Sequence, residues 1–181
     1  MVPAGNKEVL GKMIRFAIGQ DSHAFETDQA FYDKPLILGG YVFPDCDLTL
    51  RANSDGDVLL HALTNAVSGI TCRNILGAPA DELCEKGVTD SKAYLQLALD
   101  DLISMGYGLV HISFTVECKK PHLSAHIDEI RARVAEICGI DATCVGLTAT
   151  TGEGLTAFGQ GLGISVFCVI TVARQKGCEA L

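Results

Sequence analysis

The segment ANSDGDVLLHAL, residues 52–63, joins a polar turn to an apolar helix, and this transition sets the main helix of the fold. It predicts a helix over residues 55–70, capped by Ser54 or Asp55, with acidic charge in its first turn. Asp57 and His61 are four residues apart and therefore share one face of that helix. Two interpretations stay open, an N-terminal cap beside a structural histidine or a metal site.

Strands and further helices are predicted on either side of this helix. Apolar alternation predicts strands at 13–19, 109–118, 144–150 and 163–174, and a hairpin-like strand pair at 36–43. Two more helices are expected at 90–105 and 124–138, each followed by glycine. The order β-β-α-α-β-α-β-β predicts an α/β (α+β) sandwich, a mixed sheet with helices packed on one face.

The composition is that of one folded domain. The chain has 181 residues, of which 48% are hydrophobic and 20% charged, enough to bury a sizeable core. Its net charge of −8 argues against nucleic acid or an anionic membrane as a partner. We expect a disordered lead-in at 1–12, a single domain at 13–176 and a tail at 177–181.

The sequence favours a reducing compartment. No apolar run approaches the roughly 20 residues of a membrane-spanning helix, and MVPAGNKEVLGK lacks the features of a signal peptide. We therefore expect a cytoplasmic protein, or an organelle stroma after removal of a targeting peptide, although none is seen here. The eight cysteines are scattered without a Cys-x-x-Cys pair, which predicts buried, reduced thiols.

The segment GQDSHAF, residues 19–25, carries the first candidate chemistry. Asp21 and His23 are two residues apart at a strand end, so their side chains point the same way. With His61 they make a plausible three-ligand set that leaves an open position, as catalytic zinc sites do. Two histidines and one carboxylate also suit non-haem iron. On spacing alone, structural histidines remain the alternative.

The segment TATTGEGL, residues 148–155, follows a strand and suits phosphate binding. Such a turn can aim backbone N–H groups at phosphate oxygens, and Glu153 can hold a magnesium ion that bridges a diphosphate. The alternative is an ordinary turn after a strand.

A basic pair, Lys119 and Lys120, stands in ECKKPHLSAH, residues 117–126. This segment leaves a strand and leads into the next helix, so it can form one wall of a nucleotide pocket. The alternative is a solvated basic turn, and His126 on the helix is expected to serve packing or lie at the surface.

Taken together, these segments resemble 2-C-methyl-D-erythritol 2,4-cyclodiphosphate synthase. The resemblance rests on GQDSHAF, SDGDVLLHAL, TDSKAYL, the 106–131 region and TATTGEGL, in the expected order over about residues 13–173. It implies an α/β sandwich that assembles as a homotrimer, with active sites between neighbouring subunits. It also implies a phosphorus-oxygen lyase of non-mevalonate isoprenoid synthesis. Its substrate is 4-diphosphocytidyl-2-C-methyl-D-erythritol 2-phosphate, which is cyclised to the 2,4-cyclodiphosphate with release of CMP.

The resemblance assigns metals to named positions. It implies that Asp21, His23 and His61 bind Zn²⁺ or another divalent ion, and that Glu153 holds Mg²⁺ or Mn²⁺ with the diphosphate. Phosphoryl transfer needs positioning and charge neutralisation above all. Two metal ions supply both, which explains how a protein of charge −8 can bind an anionic substrate.

It also assigns substrate contacts. Thr151 supports the reacting phosphate, and Asn53 occupies a catalytic position beside the phosphates. The remaining implied substrate contacts are Ser54 and Asp57 with methylerythritol, Asn74 and Gly77 with ribose, and Thr150 with the substrate. The implied cytosine wall consists of Cys118, Lys119, Lys120, Pro121, His122 and Leu123. No nucleic-acid or membrane partner is expected.

The chain departs from the family pattern at several of these places. Asn53 stands where the family usually has a histidine, and asparagine cannot carry a positive charge. The usual Asp-Ile-Gly is NILG, residues 74–77, and the acidic flexible loop after it is APADELCEKG, residues 78–87. Other replacements are Gly152 for a threonine, His122 for a lysine, and Gln160 and Leu162 for an arginine and a glutamate near the trimer axis.

Two alternatives to an active synthase follow from these departures. One is a divergent paralogue that keeps the trimer and the zinc site but has changed its substrate or lost turnover. The other is a different metal-dependent phosphoesterase or a non-haem iron enzyme that uses the same ligands.

Overall fold

The computed structural model describes residues 14–28, 34–44 and 46–175, so the predicted lead-in and tail lie outside it. Its strands are β1 (Ile14–Ala24), β2 (Ile37–Leu38), β3 (Tyr41–Val42), β4 (Tyr107–Glu117), β5 (Val145–Thr150) and β6 (Gly163–Arg174). Its helices are α1 (Val58–Thr71), α2 (Ala78–Glu85), α3 (Ser91–Ser104) and α4 (Ile127–Cys138). The single-domain boundaries stay a prediction.

A four-stranded mixed sheet forms one layer, as predicted. Its order is β1-β6-β4-β5, with β6 antiparallel to both β1 and β4, and β5 parallel to β4. The helices cover one face, where α1 packs on β1 and β6 and α4 on β5. The predicted hairpin at 36–43 is present as a separate two-stranded sheet of β2 and β3.

Helix α1 is the centre of the core, because it is apolar on nearly every side. Ten of its residues are buried, including Leu59, Leu60 and Leu63. A helix that is apolar all round must be enclosed, and α1 lies between the sheet and α3. It touches β1 at Gly19, where a Cβ atom would lie 2.1 Å from the Ala62 carbonyl oxygen.

The predicted start of this helix was wrong by three residues. Helix α1 begins at Val58, and its N-cap is Asp57, whose carboxylate accepts a hydrogen bond from the Leu60 amide at 3.1 Å. Gly56 explains the difference, because its φ of +78° is incompatible with a right-handed helix. Ser54 and Asp55 therefore stay in the preceding turn, and no acidic residue lies in the first helical turn.

The segment at 78–87, taken as a flexible loop from the sequence, contains the short helix α2. Pro79 lies near its start, where proline tolerates the helical backbone, and Asp81 adds acidic charge to the first turn. Its eight residues bury only Ala80, so little apolar periodicity marked the helix in the sequence.

The second face of the sheet is apolar and open to solvent in the single chain. Phe16 and Ile18 of β1 are 80% and 63% exposed, and Phe167 and Val169 of β6 flank them. Among the described helices, none is long and apolar enough to cross a bilayer. The seven described cysteines are all free thiols, as predicted, but only Cys118 and Cys168 are buried and Cys72 is exposed, so the predicted burial was wrong for most of them. Cys178 lies outside the described residues.

Candidate metal centre and its cavity

Three candidate ligands meet where β1 lies against α1. Asp21 and His23 project from the helix-facing side of β1, and His61 projects from the first turns of α1. The Asp21 Oδ2 atom lies 3.0 Å from His61 Nδ1 and 3.1 Å from His23 Nε2. The two ring nitrogens are themselves 3.1 Å apart. The strand alternation and the helix register therefore bring one atom of each residue to a common point.

This triangle has the size of one face of a metal tetrahedron. Zinc–nitrogen and zinc–oxygen bonds of about 2.0–2.2 Å put neighbouring ligand atoms about 3.3 Å apart. The three observed separations are 3.0, 3.1 and 3.1 Å. The residues therefore fit a divalent metal ion with one side open, and Asp21, His23 and His61 form a possible metal site.

Hydrogen bonds on the far side of each ring orient both histidines for this role. His23 Nδ1 lies 3.0 Å from the Arg51 carbonyl oxygen, which only accepts, so Nδ1 carries the proton. His61 Nε2 lies 2.8 Å from the hydroxyl oxygen of Ser91. The nitrogen atoms that face Asp21 are then free to bind a metal, as the site requires.

The charges in the cluster stabilise one another in the metal-free protein. Burial alone would raise the pKa of Asp21, but hydrogen bonds from His23 and His61 hold it well below its usual range. Burial alone would lower the pKa of His23, but its hydrogen bond and attraction to Asp21 raise it. The metal-free cluster thus favours an ionised Asp21 and a protonated His23.

We expect this pair to stabilise the metal-free protein most between about pH 3.8 and pH 6.5, the ordinary pKa values of the two groups. The Asp21 contribution is lost as the pH falls through its lowered pKa, and the His23 contribution as the pH rises through its raised pKa. Thermal unfolding with a chelator from pH 4 to pH 9 measures this. In His23→Gln the alkaline decline should be shallower, and equal declines would contradict the prediction.

The cluster forms part of the wall of a cavity of about 570 Å³. Asn53 and Ser54 line it with the candidate ligands, and so do Gly77 and residues of α2. Two cations, Lys34 and Arg51, also line it. Such a cavity, with convergent polar groups and a metal site, has the size of a small-molecule site.

Asn53 is held in place by Lys34. The Lys34 ammonium group donates to the carbonyl oxygens of Ala52 at 2.7 Å and Ser54 at 2.9 Å. These carbonyls flank Asn53, so a basic side chain lies next to the position where the family pattern has a histidine. Sequence reasoning missed Lys34, because the residues between it and Asn53 gave no spacing signal.

The side chain of Asp57 does not point into the metal cavity, although its spacing from His61 suggested that it would. Its side chain is fully buried, and its two oxygens accept from the backbone amides of Gly39, Gly40 and Leu60. Burial raises its pKa to about 6, against the opposing effect of these three donors. Asp57 therefore ties α1 to the β2–β3 hairpin, and it does not line the cavity that holds the metal cluster. Its predicted contact with substrate remains a prediction.

The predicted phosphate and cytosine residues meet in a second depression of about 160 Å³. Its walls come from two neighbouring parallel strand ends and the turns that follow them, with Cys118, Pro121, His122, Leu123, Thr150 and Thr151 among its residues. Burial raises the pKa of Cys118 to about 11, so its thiol stays protonated. Lys119, Lys120 and Glu153 flank this depression in the chain but do not line it.

Glu117 accounts for the glycine at position 152. A Cβ atom on Gly152 would lie 1.9 Å from the Glu117 Oε1 atom, and the φ of Gly152 is +63°. The same carboxylate accepts a hydrogen bond from Thr156. Glu117 therefore fills the space of a side chain at 152 and ties the 150–156 turn to β4.

The other sequence-predicted positions have simpler surroundings. Asn74 lies in the turn between α1 and α2, with its amide near Gly77. The His126 Nδ1 atom lies 3.1 Å from the Tyr41 hydroxyl, and the His126 ring meets the Phe43 ring edge to face. This confirms the packing role expected for His126.

Comparison with known proteins shows that the chain is similar to one protein family. The model of the YgbB family matches residues 14–173. A 2-C-methyl-D-erythritol 2,4-cyclodiphosphate synthase of Chlamydia trachomatis serovar L2b is 46% identical over 159 residues, which cover 87% of each chain.

Two solved structures share the architecture. The bifunctional IspDF of Campylobacter jejuni is 28% identical with a TM-score of 0.78, over 89% of this chain and 42% of that chain. The chain therefore spans less than half of that bifunctional protein. A 2C-methyl-D-erythritol-2,4-cyclodiphosphate synthase in a CDP-bound form is 25% identical with a TM-score of 0.74, over 87% of this chain and 99% of that chain.

Proposed function

Because the chain belongs to the YgbB family, we propose that it is a 2-C-methyl-D-erythritol 2,4-cyclodiphosphate synthase, a phosphorus-oxygen lyase of non-mevalonate isoprenoid synthesis. Its substrate is 4-diphosphocytidyl-2-C-methyl-D-erythritol 2-phosphate. An oxygen of the 2-phosphate attacks the β-phosphorus, the bond from that phosphorus to the bridging oxygen breaks, and CMP leaves with the electron pair. The product is the cyclic 2,4-diphosphate.

The observation that carries this proposal is the Asp21–His23–His61 triangle on the wall of a cavity large enough for a small molecule. These three residues hold a divalent ion, which we propose is zinc, with one side open to the cavity. A bound ion supplies charge neutralisation at the phosphate oxygens. His23 and His61 bind it through the nitrogen atoms that their other hydrogen bonds leave free.

The remaining residues of this cavity orient the substrate. The side-chain amide of Asn53 can donate a hydrogen bond to a phosphate oxygen, and Lys34 and Arg51 add positive charge on the same wall. Ser54 and Gly77 contact the sugar parts of the substrate. Such positioning and electrostatic contributions account for most of the rate enhancement in phosphoryl transfer.

The cytidine end of the substrate is assigned to the second depression. Its apolar wall of Pro121 and Leu123 suits a flat base, and the solved relative bound to CDP supports a cytidine nucleotide as ligand. The hydroxyl groups of Thr150 and Thr151 face the phosphates, and Glu153 holds Mg²⁺ or Mn²⁺ with the diphosphate.

We also propose a homotrimer with active sites between subunits. The exposed apolar face of the sheet, with Phe16, Ile18, Phe167 and Val169, supports it, because single chains rarely leave such a patch open. In one chain the metal cavity and the nucleotide depression have separate walls. Assembly through the sheets would let the metal cavity of one subunit face the nucleotide depression of the next.

A phosphorus NMR assay tests the function. The purified protein is incubated with the cytidyl substrate, Zn²⁺ and Mg²⁺, beside an Asn53→His variant. Release of CMP with formation of the cyclic diphosphate by the unchanged protein is the expected result. Turnover by Asn53→His alone would indicate a paralogue that has left the pathway, and no turnover by either would overturn the proposal.

A further inference from the structure

We propose that Ser91 and Asp55 are positioning residues of the metal site, which fix the ring tautomer and rotation of His61 through a buried chain of hydrogen bonds. The inference rests on the proposed metal site. Neither residue is a candidate ligand, and neither lines the cavity that contains the cluster. Their hydrogen-bonded connection to the cluster passes through His61.

The chain of contacts is continuous from carboxylate to imidazole. The Ser91 hydroxyl donates to Asp55 Oδ1, and the Ser91 backbone amide donates to Asp55 Oδ2 at 3.1 Å. Because the hydroxyl proton points to Asp55, the lone pairs of the same oxygen face His61 Nε2 at 2.8 Å. This acceptor fixes a proton of His61 on Nε2, which leaves Nδ1 as the atom that would bind a metal ion.

Burial leaves His61 Nε2 few alternative partners. The side chain of Ser91 is fully buried and that of His61 nearly so. The one other neighbour of His61 Nε2 among the described residues is the Ser54 hydroxyl at 3.4 Å, which accepts from the Gly56 amide. A buried N–H group without an acceptor is costly, so loss of Ser91 favours a proton on Nδ1 or a rotated ring. Either change removes a metal-binding atom.

Backbone contacts hold the two positioning residues in register. Asp55 lies in the turn before α1, and its amide donates to the Thr89 carbonyl at 2.8 Å. The Asp57 amide donates to Asp55 Oδ1 at 3.1 Å. Ser91 is the first residue of α3, capped by Asp90. The packing of α3 against α1 thus sets the orientation of His61, whereas His23 depends only on a backbone carbonyl.

The test measures metal affinity without substrate. Zn²⁺ dissociation constants are obtained by competition with a chromophoric chelator for the unchanged protein, Ser91→Ala and Ser91→Thr. We expect Ser91→Ala to bind Zn²⁺ about 10–100-fold more weakly, the usual effect of losing a partner behind a ligand. Ser91→Thr, which keeps the hydroxyl, should recover most of that affinity.

Two further variants separate positioning from general destabilisation. Ser165→Ala removes another buried serine hydroxyl, on β6, and should leave Zn²⁺ affinity unchanged. Asp55→Asn keeps the shape of the side chain at position 55 and should weaken Zn²⁺ binding less than Ser91→Ala does. Unfolding temperatures of the metal-free variants serve as the measure of fold.

The outcomes distinguish this inference from the proposed function. An affinity within twofold of the unchanged protein in Ser91→Ala overturns the inference, even if the synthase assay succeeds. An unchanged protein that binds no Zn²⁺ overturns it as well. A weakened affinity in Ser91→Ala with recovery in Ser91→Thr supports it, even if the cytidyl substrate is not turned over.

Discussion

His61→Ala is expected to lower turnover of the cytidyl substrate by at least about 10³-fold, since a bound metal ion contributes several kcal/mol to charge stabilisation and each 1.36 kcal/mol is tenfold. The substitution removes the one candidate ligand that comes from a helix. It also leaves the Ser91 hydroxyl without its imidazole partner. Phosphorus NMR gives the rate, and metal analysis of the purified variant gives the zinc content.

The matched control is His126→Ala. His126 also lies at the N-terminal end of a helix and has aromatic neighbours, but it packs on Tyr41 and Phe43 and lies outside the metal cluster. Its loss should leave turnover close to that of the unchanged protein. Full zinc content in an inactive His61→Ala variant would contradict the assigned role.

Double variants sharpen this test. If Asp21, His23 and His61 act on one ion, the loss of a second ligand should add little to the loss of the first. An Asp21→Ala/His61→Ala variant should therefore be about as slow as His61→Ala. Multiplicative losses would indicate that the residues act separately.

Gly19→Ala is expected to destabilise the protein by more than about 4 kcal/mol, a large share of the roughly 5–15 kcal/mol that keeps a domain folded. A Cβ atom at this position would lie 2.1 Å from the carbonyl oxygen of Ala62 and 2.3 Å from the amide nitrogen of Ala66. Both are backbone atoms of α1, so the strand and the helix would have to move apart. Overpacking that a side-chain rotation cannot relieve is costly.

Urea unfolding of Gly19→Ala beside Gly146→Ala measures this effect. Gly146 also lies in a strand of the same sheet. A Cβ atom added there would have the Ser113 hydroxyl oxygen as its nearest neighbour, at 3.7 Å, which is an ordinary contact. Gly146→Ala should be within about 1 kcal/mol of the unchanged protein. A Gly19→Ala variant of equal stability would show that α1 does not approach β1 this closely.

The close contact between β1 and α1 at Gly19 also positions the metal ligands. Gly19 is two residues before Asp21 on the same face of β1, and Ala62 follows His61 on α1. The close approach of the two backbones therefore brings the ligands within 3.1 Å of one another. A soluble but loosened Gly19→Ala variant should also lose zinc affinity.

The sequence by itself determined the pattern of elements and the chemistry of the ligands. Alternation predicted β6 with its observed bounds. The helix predicted at 55–70 begins three residues too early and covers all of α1 except its last residue. Asp21 and His23 share a strand face because strand side chains alternate with a period of two. These features depend on neighbours along the chain, which is why they could be predicted.

Tertiary structure decided the features that depend on residues far apart in sequence. The spacing placed Asp57 beside His61, but its carboxylate accepts hydrogen bonds from the backbone amides of Gly39 and Gly40, which are distant in sequence. Ser91 lies within the helix predicted at 90–105, where its position gave no sign that its hydroxyl oxygen accepts from His61, thirty residues earlier. The local sequence determines which donor, acceptor and ligand groups a residue carries. Only the packing of helices and strands determines which other groups bind to them.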